Sequence, residues 1–170
     1  SSDPLSSSMA VASARPTKDV ASSVKSQLFK NSVVDVLTPE HYKLLYFISK
    51  HSRLAEKATD KERWIRYLHI MVLVYEAILA DVFDYDYSPY GEEVGSKRMM
   101  LNISQEARDN LDDLVEAGMV RSLRMSTSNG KSTMAYQPSK KGLEYMRQGS
   151  ISREDKELCD EFMYDPRGSL

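Results

Sequence analysis

Three histidines, one cysteine and a run of acids are the residue types suited to chemistry. His41 and His51 stand ten positions apart, and His69 lies alone beyond them. Imidazole is a common zinc ligand, but a closed site needs about four donors, and no further His or Cys keeps ligand spacing with this pair. Both are read as surface residues. His69 sits among apolar neighbours, where an imidazole either senses pH or is held by a carboxylate at the edge of a core; the second is expected. Cys159 has no second cysteine to pair with, and a single thiol near the chain end reads as an inert small residue. Between positions 81 and 93, Asp81, Asp84, Asp86, Glu92 and Glu93 alternate somewhat like a calcium loop. The glycine at the sixth position and the glutamate at the twelfth are missing, so an EF-hand is not expected. There is no phosphate-cradling glycine loop, no nucleophile elbow and no evident acid–base pair. The chain is therefore read as non-catalytic, with no cofactor and no metal.

The elements that would carry these residues follow from composition and periodicity. A chain of 170 residues, 41% hydrophobic and 28% charged, suits one globular domain with ragged ends, and a formal charge of −2 gives no global pull towards nucleic acid or anionic lipid. Residues 1–32 are rich in Ser, Ala and Val without an apolar period, and are expected to form a flexible arm. Their acid-poor composition also resembles an organelle transit segment, which would place the protein in a plastid stroma; cytoplasm or nucleus is the alternative, and the single cysteine suits any reducing compartment. A chain opening on Ser rather than Met is expected to be a fragment or a processed form. Residues 33–148 form the body. In "TPEHYKLLYFISKHSRLA", Thr38 is a natural N-cap, Pro39 fits the first turn, and Tyr42, Leu45, Tyr46 and Ile48 make a helical stripe. In "ATDKERWIRYLHIMVLVYEAILADVFDY", Thr59 or Asp60 is expected to cap a long helix that is apolar nearly all round. Arg66, His69, Glu76 and Asp81 argue against a membrane span, so this helix is expected to lie at the centre of the domain or to pack against a partner as well. Pro89, Gly91 and Gly95 then break the pattern. The stretch holds Tyr85, Tyr87 and Tyr90, and reads either as a solvated loop or as an interaction surface.

Residues 99–147 are the best organised. "MMLNI" is a strand candidate. Ser104 caps a helix with Ala107, Leu111, Leu114 and Val115 inside, and Gly118 ends it. "MVRSLRM" and "STMAYQP" flank an Asn129-Gly130 hairpin signal, and Ser139 caps a last helix carrying Leu143 and Met146. In this order, "LDDLVEAGMVRS", the hairpin and "AYQPSKKGLEYM" resemble MarR/PadR-type winged-helix regulators. The resemblance implies a mainly α fold with a small β-hairpin wing, a winged helix-turn-helix preceded by two longer helices. It also implies DNA contacts. Gln105, Arg108, Asp109 and Asp112 would lie on the reading helix, Arg124, Asn129 and Lys131 on the wing, and Lys140 and Lys141 at the start of the following helix.

The charge on that helix opposes the role. Residues 104–120 carry five acids and one base, and residues 96–148 reach only +3. Glu106, Asp109 and Asp112 sit where phosphates would lie, and the phosphate backbone supplies most of a DNA binder's affinity. The element that should precede the reader is the acidic "YDYSPYGEEVG". The favoured expectation is therefore a structural or regulatory subunit that meets a protein partner or a second copy. Its contact residues would be Tyr85, Tyr87, Tyr90, Glu106, Asp109 and Asp112. A sequence-specific DNA-binding regulator is the alternative. Residues 149–170 are expected to form a docking helix, opened by Ser152, and a frayed tail.

Overall fold

The computed structural model describes residues 36–55 and 57–163. The arm expected over 1–32 and the tail end, 164–170, lie outside the described residues.

Helix α1 (Pro39–His51) begins as its sequence suggests, with Pro39 in the first turn. The Thr38 backbone N–H donates to His41 Nδ1 at 3.0 Å, so a histidine takes the place that glutamate usually fills in a capping box. Leu44, Leu45, Phe47 and Ile48 are all at most 1% exposed, and α1 forms the hub of the core.

The second helix departs from expectation. Helix α2 spans Tyr67–Leu79 only, and neither Thr59 nor Asp60 caps it. Residues 57–60 make a turn in which the Lys57 N–H donates to Asp60 Oδ2 at 2.9 Å. Arg53 and Arg63 then bridge their backbones, and a short strand β1 (Ile65–Arg66) pairs with Tyr136 and Ala135. Helix periodicity in an apolar run does not reveal such pairing, because the partner is some 70 residues away. At the far end Asp81 takes φ 62°, and the Val82 N–H reaches the Ala77 carbonyl at 2.8 Å, which closes the helix with a Schellman-type turn.

The Pro/Gly-rich stretch is not a loop. Strands β2 (Ser88–Val94) and β3 (Lys97–Ile103) form an antiparallel ribbon around a two-residue turn at Gly95-Ser96. The turn sets Val94 opposite Lys97, and alternation along β2 then points the Pro89 nitrogen away from β3. A residue without an N–H costs nothing on that outer edge. Ile103 is buried while Lys97 to Met100 are exposed, so the ribbon roots in the core and runs out from it.

Helix α3 (Gln105–Glu116) follows, with Ser104 Oγ accepting from the Ala107 N–H at 3.1 Å. Gly118, at φ 79°, supplies the left-handed residue that ends it. Strands β4 (Val120–Ser126) and β5 (Ser132–Pro138) make the hairpin expected around Asn129-Gly130, and the sheet order is β1-β5-β4. Helix α4 (Lys140–Arg147) starts at Ser139, whose Oγ accepts from the Gly142 N–H. Here α4 rides against the end of α3: a Cβ on Gly142 would stand 2.2 Å from the Met119 carbonyl oxygen, so only glycine fits. Helix α5 (Arg153–Glu161) is capped by Ser152 and packs on α1 through Cys159.

The fold class expected from sequence is thereby corrected. The described residues form five helices and five strands, in one three-stranded and one two-stranded antiparallel sheet; this is an α/β arrangement and not a mainly α fold with a single small wing. Strand β2, the start of β3 and β1 make the difference, since they fall where a loop and a longer helix are expected; residues 99–103 lie in β3, where a strand is expected. No helix among the described residues is long and apolar enough to cross a membrane.

Candidate functional site

The outward side of α3 and the two hairpins carry most of the residues that the sequence singles out. Four elements meet around the Tyr67 ring. Arg108, from α3, lies over it with its guanidinium carbon 5.6 Å from the ring centre. Asp112, one turn further along α3, and Glu92 and Tyr90, from β2, act electrostatically on the same phenol. Tyr136 of β5 feels Asp112, Tyr67 and Arg108 in turn.

The electrostatics of this cluster follow from burial. Partial burial raises the Asp112 carboxyl above its usual range against the pull of Arg108, with Asp109 and Asp113 adding repulsion. Burial raises Tyr67 and pushes Tyr136 up to about 12. Tyr67 presents a buried hydroxyl with no hydrogen-bond partner among the described residues.

The expected DNA-contact residues are largely engaged within the protein. Lys131, at the end of the β4–β5 hairpin, forms an ion pair with Glu93 of β2 and so joins the two hairpins. The hydrogen bond from Lys131 holds the Glu93 carboxyl below its usual range. Arg124 donates to Ser132 Oγ across the hairpin at 3.3 Å, and Asn129 Oδ1 accepts from the Lys131 N–H within the turn. Lys141 Nζ donates to the Ala117 carbonyl at 2.9 Å, a cation at the C-terminus of α3. Gln105 donates to Asp109 at 2.9 Å one turn along the helix. Lys140 is exposed at the start of α4.

The expected protein-contact residues divide. Tyr87 and Tyr90 are exposed, and Tyr87 packs its ring edge on Tyr75 of α2. Glu106, Asp109 and Asp112 lie on the open side of α3. Glu106 also accepts from the Asp86 N–H at 2.7 Å, which fixes the chain entering the ribbon. Tyr85 is a correction. It is 7% exposed, stacks on Phe83 with ring centres 5.1 Å apart, and accepts a hydrogen bond from Asn110 Nδ2 at 2.9 Å. Burial raises its phenol well above the usual range. A residue so placed is part of the core, because Val82, Phe83 and Tyr85 turn inward after α2 ends.

The histidines also depart from expectation. His41 is 7% exposed and is no surface residue: its Nδ1 meets Thr38, and its Nε2 lies 2.9 Å from Asp113 Oδ2. His51 is half-buried against Phe47 and Phe162, and its Nδ1 donates to the Phe47 carbonyl. His69 is an exposed residue on α2 whose charged neighbour is Arg63, and partial burial lowers its imidazole. Cys159 is buried, with its thiol pushed up to about 12, and donates weakly to the Lys43 carbonyl.

Sequence reasoning missed an acidic cleft beside the His41–Asp113 contact. Thr38, Glu40, Asp84, Glu106, Asp109 and Asn110 border it, with His41 and Tyr85 at its floor. Its residues come from α1, α3 and the chain after α2, and no local spacing links them. Lys43 was missed as well. It is 7% exposed, donates to the Val82 carbonyl at 2.7 Å, and pairs with Glu40 and Asp155.

No curated protein and no solved structure matches the chain. The profile of the uncharacterized protein MJ1567 family matches residues 40–170, so the chain belongs to that family.

Proposed function

We propose that this chain is a non-catalytic protein-contact module, a structural or regulatory subunit of a larger assembly. The observation that carries the proposal is the matching of charge on the outward side of α3 and at the ends of the two hairpins. Lys131 is matched by Glu93, and Arg108 is held over Tyr67 beside Asp112. A DNA-binding surface gains affinity by replacing counterions along several phosphates, and it needs a continuous band of unmatched cations to do so. Here carboxylates interrupt the band from the start of α3 to the hairpin end. Exposed Tyr87 and Tyr90 and the carboxylates Glu106, Asp109 and Asp112 suit a partner with apolar sockets rimmed by basic groups.

A sequence-specific DNA-binding regulator is the activity that the MarR/PadR resemblance implies, and the decisive experiment separates the two. The chain is purified from its native source with its partners, with and without nuclease. A protein that stays bound after nuclease treatment supports the proposal. Duplex DNA retarded by the pure chain, with a steep loss in salt and weakened by Arg108→Ala, Arg124→Ala and Lys131→Ala, overturns it.

A further inference from the structure

We propose that the β2–β3 ribbon joins a second copy of this chain, edge to edge along β3, to make a closed two-fold dimer with a four-stranded sheet β2-β3-β3-β2. This rests on the protein-contact reading and names the partner.

Among the described residues β2 and β3 pair in ladders only with each other, so each keeps one edge without a strand beside it, and α2 packs against β3. An unpaired edge is a ready template for another strand, and proteins commonly block it with Pro or charge. The edge of β2 is blocked: Pro89 points its missing N–H outward, and Glu92 and Glu93 follow. The long edge of the other sheet, β4, carries Arg121 and Arg124. The β3 edge has Lys97 and Arg98 only beside the turn, and continues as Met99, Met100 and Leu101. Met100 is 67% exposed and Met99 46%, an unusual outlay of apolar surface on a strand already free on one side.

The order of residues along β3 favours itself as partner. The turn geometry turns the amides of Arg98, Met100 and Asn102 away from β2, where they can bond a neighbour. In an antiparallel pairing centred on Met100, Met100 faces its own copy, Met99 faces Leu101 and Arg98 faces Asn102. No like charges stand opposite, and each Arg98 keeps its cross-strand neighbour Glu93 on its own chain. An antiparallel pair with its dyad through the sheet keeps Tyr90, Met99 and Leu101 of both copies on one face. Ile103 is buried in the body and limits the pairing to residues 98–102. Growth stops at two copies because the outer strands are then both β2, which Pro89 closes.

The test is sedimentation of the full chain and of two variants at the dyad, Met100→Lys and Met100→Glu. Met100 is exposed, so both fold, which circular dichroism checks. The wild type is expected at twice 19.3 kDa. Each variant alone opposes like charges across the dyad and raises the dimer dissociation constant by about tenfold or more. An equal mixture of the two restores the dimer, because position 100 meets position 100. A wild type that stays monomeric at its highest soluble concentration overturns the proposal, and so does a dimer indifferent to both variants. A monomeric chain that still holds an unlike protein after nuclease treatment overturns this dimer while leaving the protein-contact function standing.

Discussion

His41 Nε2 lies 2.9 Å from Asp113 Oδ2 and ties α1 to α3 across 72 positions of sequence. The other ring nitrogen faces the backbone N–H and the hydroxyl of Thr38, so Nδ1 is the acceptor and Nε2 carries the proton. One imidazole thus closes the start of one helix and holds another. His41→Leu fills the space but removes both contacts; it is expected to cost about 1–3 kcal/mol in urea unfolding, because polar groups are left unmatched at a buried site. Asp113→Asn keeps an acceptor oxygen and is expected to cost less. Equal losses would show that the Asp113 charge, and not the contact with Thr38, carries the effect.

Tyr85 distinguishes a core role from a contact role. Tyr85→Phe keeps the stacking on Phe83 and loses the hydrogen bond from Asn110. A drop of about 1 kcal/mol in unfolding free energy is expected, with partner binding unchanged. Tyr90→Ala should do the reverse, lowering partner affinity with little change in stability, whereas Tyr87→Ala also loses the ring contact with Tyr75. Calorimetric binding beside denaturant titration reads both quantities.

Burial holds the His51 imidazole below its ordinary 6.5, with the Phe47 carbonyl opposing it and His69, Arg63 and Lys50 adding to the effect. The unfolded chain therefore takes up this proton more readily than the folded one. The contribution of His51 to stability is complete above the unfolded value and is lost as pH falls from there through the folded value. Unfolding at about pH 7.5 and about pH 5.5 should show the loss, and His51→Gln should flatten the part due to this residue. His69 shifts in the same direction, so a residual slope is expected. A slope unchanged by the substitution would rule His51 out as its source.

Gly142 allows α4 to touch the Met119 carbonyl. Ser139 bonds the same carbonyl through its N–H at 2.9 Å, so the oxygen is pinned and cannot step aside. Gly142→Ala is expected to cost about 1–3 kcal/mol, the usual range for forced overpacking. Gly149→Ala, where a Cβ meets nothing within 4 Å but the backbone has φ 87°, isolates backbone strain as a comparison. A thermal melt of each variant gives the ranking.

Local signals made part of this fold legible. Ser104, Gly118, the Asn129-Gly130 pair and Ser139 each fix an element by chemistry within a few residues, and α3, the β4–β5 hairpin and α4 lie where those signals put them. Pro89 misled because proline is excluded from paired positions, whereas here it sits on an edge where nothing is owed to a neighbour. The start of α2 misled because Ile65 and Arg66 join a strand contributed from far along the chain. The site was legible in its charges and not in its depths. The acids of α3 follow from helical spacing, but the inward turn of Tyr85 depends on how α2 ends, and the burial of His41 depends on α3 lying across α1.

The ends of the two hairpins share no backbone ladder, yet Glu93 and Lys131 clasp them together in the open. Dissolved ions weaken such an exposed attraction. The two hairpin ends should part more readily in concentrated brine and hold more firmly in dilute buffer.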